Sequence, residues 1–381
     1  MVPRHVARLI AARLKEYPAV ALVGARQSGK TTLAKSLGGT YFDLEKEADR
    51  LRLDLEWATV TSGRVLVILD EAQEMPAVFP RLRAAIDEDR KRNGRFLLLG
   101  SVSPSLMRQV GESLAGRLAL CTLTPFIASE LPRSRWNALW LFGGYPDGGI
   151  LDPGRYPDWQ RFYLDLLAHR DLPHWGMPAS AAVTQRLFRM SAALHGQPWN
   201  ASQLGRSLGL SYHTVNGYAD FLEQAFLIRR LPAFSANIRK RLVRNPKFYW
   251  RDSGLVHALL DLPPAGDILS KAWVGASWEG WIIEQMLAHL DALGKPHQAY
   301  YLRTSDQYEV DLLLECSDRL WAFEIRLTSA PSSSDLDELG RKAGLVGAHG
   351  YFLISRTEQP VVTAKRGSLD LGACFDFLSN L

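Results

Sequence analysis

The strongest chemical pattern lies near the start of the chain, in the stretch AVALVGARQSGKTTLAKSL. Its glycines, lysine and threonine have the spacing G-x-x-x-x-G-K-T, after an apolar segment that predicts a strand and before one that predicts a helix. Such a loop turns its backbone N–H groups and the following helix N-terminus toward phosphate groups. We therefore predict a site for ATP and Mg²⁺ that is formed by Gly24, Ala25, Gln27, Ser28, Gly29, Lys30, Thr31 and Thr32.

A pair of carboxylates is predicted to belong to the same site as this loop. RVLVILDEAQEMP contains an apolar strand that delivers Asp70 and Glu71 at its carboxyl end, where ligands bind in open α/β sheets. We expect the Thr31 hydroxyl and Asp70 to hold Mg²⁺, Asp70 either directly or through water, and Lys30 to reach the β and γ phosphates. Glu71 is then placed to orient and polarise the attacking water, a role found in ATP hydrolases.

Two further residues complete the predicted catalytic set. Ser101 follows the apolar strand RFLLLG and suits a polar sensor that faces the γ phosphate. Arg117 lies in a Gly-rich turn and is a candidate arginine finger, acting on its own chain or on a neighbouring copy.

A second set of charged residues lies near the end of the chain, in YEVDLLLECSDRLWAFEIRL. If this stretch is a hairpin that turns at Ser317 and Asp318, Asp311 lies opposite Glu324 and Glu309 lies opposite Arg326, all on one face. Two opposed carboxylates repel each other unless a cation lies beside them. We therefore expect either a metal or an arginine on this face. The preceding long helix carries Glu279 in its predicted first turn.

The middle of the chain contains two features that suit nucleic acid. NASQLGRSLGLSYHTVNGYADFLEQ predicts a helix-turn-helix, with Ser211 capping a second helix whose exposed residues would be Tyr212, His213, Thr214 and Asn216. The strand-like segments FLIRRLPAF and KFYWRD would form a wing. Between them, 236–251 holds a basic strip of candidate phosphate contacts, comprising Arg239, Lys240, Arg241, Arg244, Lys247 and Arg251. A solvated basic face and a protein-contact module remain the alternatives.

Composition sets broad limits on the class of protein. The 381 residues are 47% hydrophobic and 22% charged, which is typical of a folded chain with more than one core. The net charge of +5 permits a nucleic-acid partner without requiring one. Its three scattered cysteines indicate neither a disulfide framework nor a zinc site, and no apolar run is long enough to cross a membrane. We expect a cytoplasmic protein with no membrane partner.

The fold class predicted from these patterns is α/β, in three domains. The alternation of strands and helices in 1–135 predicts a P-loop domain with a parallel sheet. A Pro- and Gly-rich stretch from Phe142 to Trp159 predicts a linker or lid, within a helical and winged-helix domain over 136–262. The remaining 263–381 form the third domain.

The chain resembles bacterial and archaeal ATPases that join an AAA-type domain to a C-terminal domain of unknown function, DUF4143. The resemblance covers nearly the whole chain and rests on the order of GARQSGKTTL, LDEAQ, SLAGR, GGYP, PKFYWRDSGL, EVDLLL and AFEIR. It implies a C-terminal α/β domain similar to PD-(D/E)xK nucleases, in which Glu279, Asp311, Glu324 and position 326 match the site. It also implies a nucleotide-driven protein, some relatives being suggested to act on DNA.

The sequence departs from that pattern at one position. Arg326 stands where the nuclease signature has lysine, and an arginine stays charged and presents a planar fork suited to gripping carboxylates. With Glu309 as its expected partner, a structural ion cluster is as consistent with the sequence as a metal site.

We therefore predict an ATPase that couples turnover to the binding or remodelling of nucleic acid, with DNA as the expected partner. A homo-oligomer is expected, with a ring as one form. The alternatives are a regulatory NTPase that acts on protein partners and a metal-dependent nuclease.

Overall fold

The computed structural model describes residues 2–101, 114–235, 243–264, 266–304 and 308–381. Within these ranges, no helix is long and apolar enough to cross a membrane. The cysteines Cys121, Cys316 and Cys374 are buried free thiols, as expected from their spacing.

The N-terminal part of the chain is built on a five-stranded sheet in the order β2-β3-β4-β1-β5, in which every pair of neighbouring strands is parallel. All six residues of the central strand β1 are buried, which explains the unbroken apolar run in its sequence. The predicted parallel α/β fold is confirmed. The elements in chain order are α1 (Val6–Glu16), β1 (Ala19–Gly24), α2 (Lys30–Ser36), β2 (Thr40–Asp43), α3 (Glu47–Ser62), β3 (Val67–Asp70), α4 (Val78–Glu88), β4 (Phe96–Ser101) and β5 (Leu118–Thr122).

The middle of the chain is mainly helical. The helix Asp158–Leu166 is followed directly by a π-helical turn over Leu167–Asp171 and a single helical turn over Leu172–His174. The longer elements are α5 (Trp136–Phe142), α6 (Asp158–Leu166), α7 (Ala181–Ala192), β6 (Gln197–Pro198), α8 (Ala201–Leu208), α9 (Tyr212–Gln224), β7 (Ile228–Leu231), β8 (Lys247–Trp250) and α10 (Ser253–Leu259).

The predicted helix-turn-helix is present as α8 and α9. Gly209 ends α8 in the left-handed conformation, with φ of 70°, and the Ser211 hydroxyl accepts a hydrogen bond from the Thr214 amide to begin α9. Strands β7 and β8 pair antiparallel beside it, with β6 on the outer side of β8, and so form the predicted wing.

The C-terminal part has a mixed six-stranded sheet in the order β13-β14-β12-β11-β10-β9. The long helix α11 is almost wholly buried, because it lies between this sheet and the rest of the molecule. Glu279 is the sixth residue of α11, so it lies in the second turn and not, as expected, in the first. The elements are α11 (Val274–Leu293), β9 (His297–Arg303), β10 (Glu309–Cys316), β11 (Arg319–Ile325), α12 (Ser333–Leu345), β12 (Gly350–Ile354), β13 (Val361–Val362), β14 (Arg366–Leu369) and α13 (Leu371–Ser379).

The charged hairpin has the predicted turn. Ser317 and Asp318 both have positive φ, 53° and 57°, which gives a two-residue turn that pairs Leu312 with Phe323 and Cys316 with Arg319. The ladder stops one pair before Asp311 and Glu324. There the Asp311 carboxylate accepts the Ile325 amide at 2.8 Å, and the pairing of β10 with β9 shifts register between Val310 and Leu313. This bulge breaks the two-residue alternation on which the prediction rested.

Candidate functional site

A cleft of about 390 Å³ lies at the carboxyl ends of the N-terminal strands. It is lined by the P-loop, by Glu71 and by residues from three other regions of the chain. Its volume and position fit a small-molecule site in an open α/β sheet. The lining residues are Val2, Arg4, Arg26, Gln27, Ser28, Gly29, Lys30, Thr31, Thr32, Leu33, Glu71, Phe126, Pro146, Asp147 and Leu151.

The P-loop has the tight backbone that its glycines allow. A Cβ on Gly24 would lie 2.0 Å from the Leu123 carbonyl oxygen, and Gly29 has φ of 96° where α2 begins. Lys30 is buried and donates to the Gly24 and Ala25 carbonyls at 3.0 and 2.9 Å, and burial lowers its pKa to about 8. The Ser28 hydroxyl is buried without a hydrogen-bond partner among the described residues.

Thr31, which lines the cleft, is in contact with the buried Asp70. The Thr31 hydroxyl donates to Asp70 Oδ2 at 2.7 Å, and the Tyr41 hydroxyl donates to the same oxygen at 2.7 Å. A hydroxyl and a carboxylate in contact form the oxygen ligand set that Mg²⁺ prefers, so the residues present fit this ion. The contact of Tyr41 with Asp70 was not predicted, because the segment TYFDLE carries no local signal that its tyrosine lies next to Asp70.

Glu71 follows Asp70 in a strained backbone conformation. Its φ of 47° and ψ of 50° are left-handed, which is uncommon for a residue with a side chain. Asp70 Oδ1 accepts the Glu71 amide at 3.0 Å, and the Gln73 side-chain amide donates to the Glu71 carboxylate. The strained residue is thus held from both sides, with its carboxylate at the edge of the cleft.

The other two predicted catalytic residues differ in placement. The backbone of Ser101 ends β4, which lies between the P-loop strand and the Asp70 strand, but its side chain falls outside the described residues. Arg117 lies at the opposite end of the sheet, where its carbonyl accepts the Ala19 amide, and it forms two hydrogen bonds of 2.9 Å with Asp87. The prediction that Arg117 is an arginine finger for its own chain was wrong, since the length of β1 separates Arg117 from the cleft. A role on a neighbouring copy stays a prediction.

Arg4 is a cleft residue that sequence analysis missed. Its side chain is 7% exposed and donates to the Ser28, Thr124 and Pro125 carbonyls and to the Glu130 carboxylate. Only the fold shows this, because its acceptors come from segments up to 126 residues away.

The Pro- and Gly-rich stretch predicted as a linker or lid borders the same cleft. Pro146, Asp147 and Leu151 line it together with the P-loop residues. The stretch therefore lies against the site rather than merely joining two domains.

The carboxylates of the C-terminal part converge on a lysine from the middle of the chain. Lys247 Nζ lies 2.6 Å from Glu279 Oε1, 2.5 Å from Glu309 Oε1 and 3.9 Å from Asp311 Oδ1, with only 3% of its side chain exposed. Burial by itself would lower the pKa of Lys247, but Glu279, Asp311 and Glu309 raise it well above its ordinary value. The lysine is therefore a fixed cation inside this group, which we call the Lys247 cluster.

Arg326 does not have the partner expected from the sequence. It contacts Asp335 at 2.8 Å and Glu324 at 3.3 Å, and Glu309 contacts Lys247 and Arg303 instead. Glu324 also lies 3.4 Å from Lys342 on α12. An arginine does contact one of the opposed carboxylates, since Arg326 pairs with Glu324, but Lys247 and Lys342, which the sequence did not indicate, supply further positive charge to Asp311 and Glu324.

Burial and mutual repulsion dominate the titration of these carboxylates. Burial, then the neighbouring Asp311, raises the pKa of both Glu279 and Glu324, and burial raises that of Asp311. Within the described part of the chain, no group of three or more His, Cys, Asp or Glu residues is arranged to hold a metal ion. The nuclease-like site expected at Glu279, Asp311, Glu324 and Arg326 stays a prediction, with Lys247 and Lys342 beside its carboxylates.

The predicted nucleic-acid contacts divide into three groups. Tyr212 and His213 are exposed at the start of α9, whereas Thr214 is half-buried and Asn216 accepts a hydrogen bond from the Trp199 indole at 2.8 Å. Arg244 is exposed, while Arg239, Lys240 and Arg241 lie outside the described residues. Lys247 as a nucleic-acid contact was wrong, because its charge is buried in the Lys247 cluster. The half-buried Arg251 is paired with Glu284 at 2.6 Å.

The chain was compared with known protein families, proteins and structures. Three family models match, described as an AAA domain over 16–131, a domain of unknown function (DUF8612) over 133–266, and a domain of unknown function (DUF4143) over 274–368. Uncharacterized proteins of Mycobacterium tuberculosis and Mycobacterium bovis are each 38% identical over 336 residues, covering 87% of this chain and 75% of theirs. A Walker-type ATPase of Pyrococcus abyssi is 15% identical with a TM-score of 0.48, over 68% of this chain and 96% of that one.

The fold and the P-loop cleft define an ATPase domain of the AAA type. The chain belongs to the family, shared with the mycobacterial proteins, that joins this AAA domain to a C-terminal DUF4143 domain. The predicted domain boundaries at 135 and 262 stay predictions.

Proposed function

We propose that the chain hydrolyses ATP in the P-loop cleft and couples this turnover to the binding or remodelling of nucleic acid, with DNA as the partner. The proposal of ATP hydrolysis rests on the contact between Thr31 and Asp70, with Lys30 and Glu71 in the same cleft. The proposal of nucleic-acid binding rests on the exposed start of the second helix of the helix-turn-helix.

The cleft offers a role for each part of the nucleotide. Lys30 and the amides of the P-loop bind the phosphates, and Thr31 and Asp70 would hold Mg²⁺, which neutralises charge on the β and γ phosphates when bound. Glu71 orients the attacking water. The apolar side chains Val2, Phe126 and Leu151 line another part of the cleft and suit the base.

Nucleic-acid binding is supported by what surrounds the turn between α8 and α9. Tyr212 and His213 are exposed there, and their rings lie 3.8 Å apart, which presents an aromatic surface for stacking. Arg206 on α8 is exposed, and Arg186 donates to the Ser207 carbonyl at 3.0 Å, so two cations stand near the turn for phosphate contacts.

One observation favours a second candidate, a regulatory NTPase that acts on a protein partner. Helix α9 carries no lysine or arginine of its own, and its acidic residues Asp220 and Glu223 pair with Arg230. A recognition helix without a cation depends on neighbouring elements for phosphate contacts, whereas a protein-binding helix has no such need.

The deciding experiment is ATP turnover measured with single-stranded, duplex and branched DNA, with RNA, and without nucleic acid, across a salt titration. We expect DNA to stimulate turnover, with a stimulation that falls steeply between about 50 and 200 mM salt because phosphate contacts release counterions. Tyr212→Ala should lower the stimulated rate. Phe162→Ala is the matched control, because Phe162 is an exposed aromatic residue of the same middle region, at 74% exposure, away from the turn.

If no nucleic acid changes the rate of ATP turnover and the protein is not retained on DNA at low salt, the proposed coupling to nucleic acid is rejected. The regulatory NTPase that acts on a protein partner is then the remaining candidate. No ATP turnover under any condition would reject the first half.

A further inference from the structure

The P-loop carries an arginine that the roles above leave unused. Arg26 lines the cleft, and its Nη1 lies 2.9 Å from Asp171 Oδ1 in the middle of the chain. Asp171 is only 2% exposed, whereas the Arg26 side chain is 30% exposed. One partner of this ion pair is therefore fixed in the core, and the other borders the space that a nucleotide would fill.

Arg26 lies in the cleft with the groups that are expected to contact the phosphates. It lines the same cleft as Lys30, Thr31 and Glu71. Burial and Glu71 raise the pKa of Glu45, and the Arg26 charge opposes that rise, so the guanidinium is within electrostatic reach of Glu45. The terminal phosphate must lie near Glu71 for the attacking water to reach it.

The middle region contacts this part of the site at several points. The Tyr163 hydroxyl donates to the Arg26 carbonyl at 3.2 Å, and Ala25 belongs to the apolar core of the middle region. Asp171 ends the π-helical turn, and His174, one turn later, lies 3.6 Å from Glu74 in the segment after Glu71. A single short segment of the middle region therefore contacts both the P-loop and the segment that carries the catalytic glutamate.

Asp171 can lose Arg26 without being left as an isolated buried charge. Arg170 Nε also lies 2.9 Å from Asp171 Oδ1, and Asp171 Oδ2 has no hydrogen-bond partner among the described residues. Leaving a buried carboxylate entirely unpaired costs several kcal/mol, about 3 to 5 in measured cases, so this second cation makes an exchange of partners feasible.

We propose that Arg26 senses the γ phosphate of ATP by exchanging Asp171 for that phosphate, and that the release of Asp171 passes the nucleotide state to the middle region. The inference rests on the proposed ATPase function and adds the residue pair that connects the cleft to the helix-turn-helix region. ADP, which lacks the γ phosphate, leaves Arg26 on Asp171.

The test compares the affinities of ADP and of the non-hydrolysable β,γ-imido analogue of ATP, both with Mg²⁺, by calorimetry on the full chain. We expect Asp171→Asn to raise the preference for the triphosphate about tenfold and Arg26→Ala to lower it about tenfold, as for one charge-assisted hydrogen bond. The double variant should match Arg26→Ala, since Asp171 acts through Arg26. Arg170→Ala is the control. It also removes a cation from Asp171, but Arg170 does not line the cleft, so this variant should not raise the preference for the triphosphate.

Equal changes for both nucleotides in Asp171→Asn, or an effect of Asp171→Asn that survives in the Arg26→Ala background, would overturn the inference. Should Asp171→Asn not fold, Arg26→Ala decides alone, with equal losses for ADP and the triphosphate rejecting the sensor. Wild-type protein that binds neither nucleotide would overturn the proposed function itself, whereas wild-type that binds both with a preference unaffected by these variants overturns only the sensor.

Discussion

Lys247 Nζ of strand β8 lies 2.6 Å from Glu279 Oε1 of helix α11, and the pair joins the wing of the middle region to the C-terminal sheet domain. The Tyr249 hydroxyl, two residues along β8, donates to the same carboxylate oxygen. A second ion pair, between the half-buried Arg251 and the buried Glu284, lies further along α11. Buried charges demand their partners, so these contacts hold the two regions in one arrangement.

Lys247→Met is expected to destabilise the fold by about 3 to 5 kcal/mol at pH 8, because it removes the cation that the buried Asp311 and the half-buried Glu279 share. Chemical denaturation monitored by tryptophan fluorescence measures this change. Lys365→Met, an exposed lysine of the same C-terminal region, is the matched control and should cost little.

The cost of Lys247→Met should also depend on pH. Burial and Asp311 raise the pKa of Glu279 from 4.5, and the Lys247 charge opposes this rise, so removing the lysine raises that pKa further. A carboxyl group with a raised folded pKa stabilises the fold below its unfolded pKa and loses that contribution as pH rises through the folded value. The deficit of the variant should therefore be smaller at pH 5 than at pH 8. A deficit that is the same at both values would mean that these carboxylates do not govern it.

Lys30→Ala is expected to abolish nucleotide binding, whereas Glu71→Gln should bind ATP and fail to hydrolyse it. The proposed role of the lysine is to contact the bound phosphates, whereas that of the glutamate is confined to the attacking water. Equilibrium binding of a fluorescent ATP analogue and phosphate release separate the two effects. Lys15→Ala, an exposed lysine at the end of α1, is the control. Wild-type rates in either site variant would mean that the site is misassigned.

Tyr41→Phe is expected to raise the Mg²⁺ concentration needed for half-maximal turnover by about tenfold, since the Tyr41 hydroxyl orients the Asp70 carboxylate. Turnover measured across a Mg²⁺ titration tests this. Tyr17→Phe, at the end of α1 and outside the cleft, should behave like wild type. An unchanged Mg²⁺ dependence in Tyr41→Phe would show that Thr31 alone suffices to position Asp70.

Arg117→Ala is expected to leave turnover unchanged in dilute protein, because Arg117 is paired with Asp87 at the end of the sheet away from the cleft. Activity should be measured over a range of protein concentrations and in mixtures with Glu71→Gln protein. Turnover that is lost in concentrated Arg117→Ala protein and restored by mixing with Glu71→Gln protein, which keeps Arg117, would identify a finger that acts on a neighbouring copy, and hence an assembly.

The sequence by itself determined the elements whose signals are local. The spacing from Gly24 to Thr31 predicted the P-loop, an apolar run predicted the strand that ends in Asp70, and Ser211 predicted the start of α9. The hairpin register followed from its two-residue turn, because neighbouring residues alone set that geometry. Each of these features depends on residues a few positions apart, which periodicity and turn chemistry describe.

Only the tertiary structure decided which charges meet. It placed Lys247 among Glu279, Glu309 and Asp311, moved Arg117 to the far end of the sheet, and brought Arg26 against Asp171 across 145 residues. The reason is physical: a buried charge takes the nearest compensating charge in space, and chain order says nothing about which segment supplies it. The opposed carboxylates in the sequence predicted a neighbouring cation, but only the fold shows that a lysine from another region of the chain supplies it.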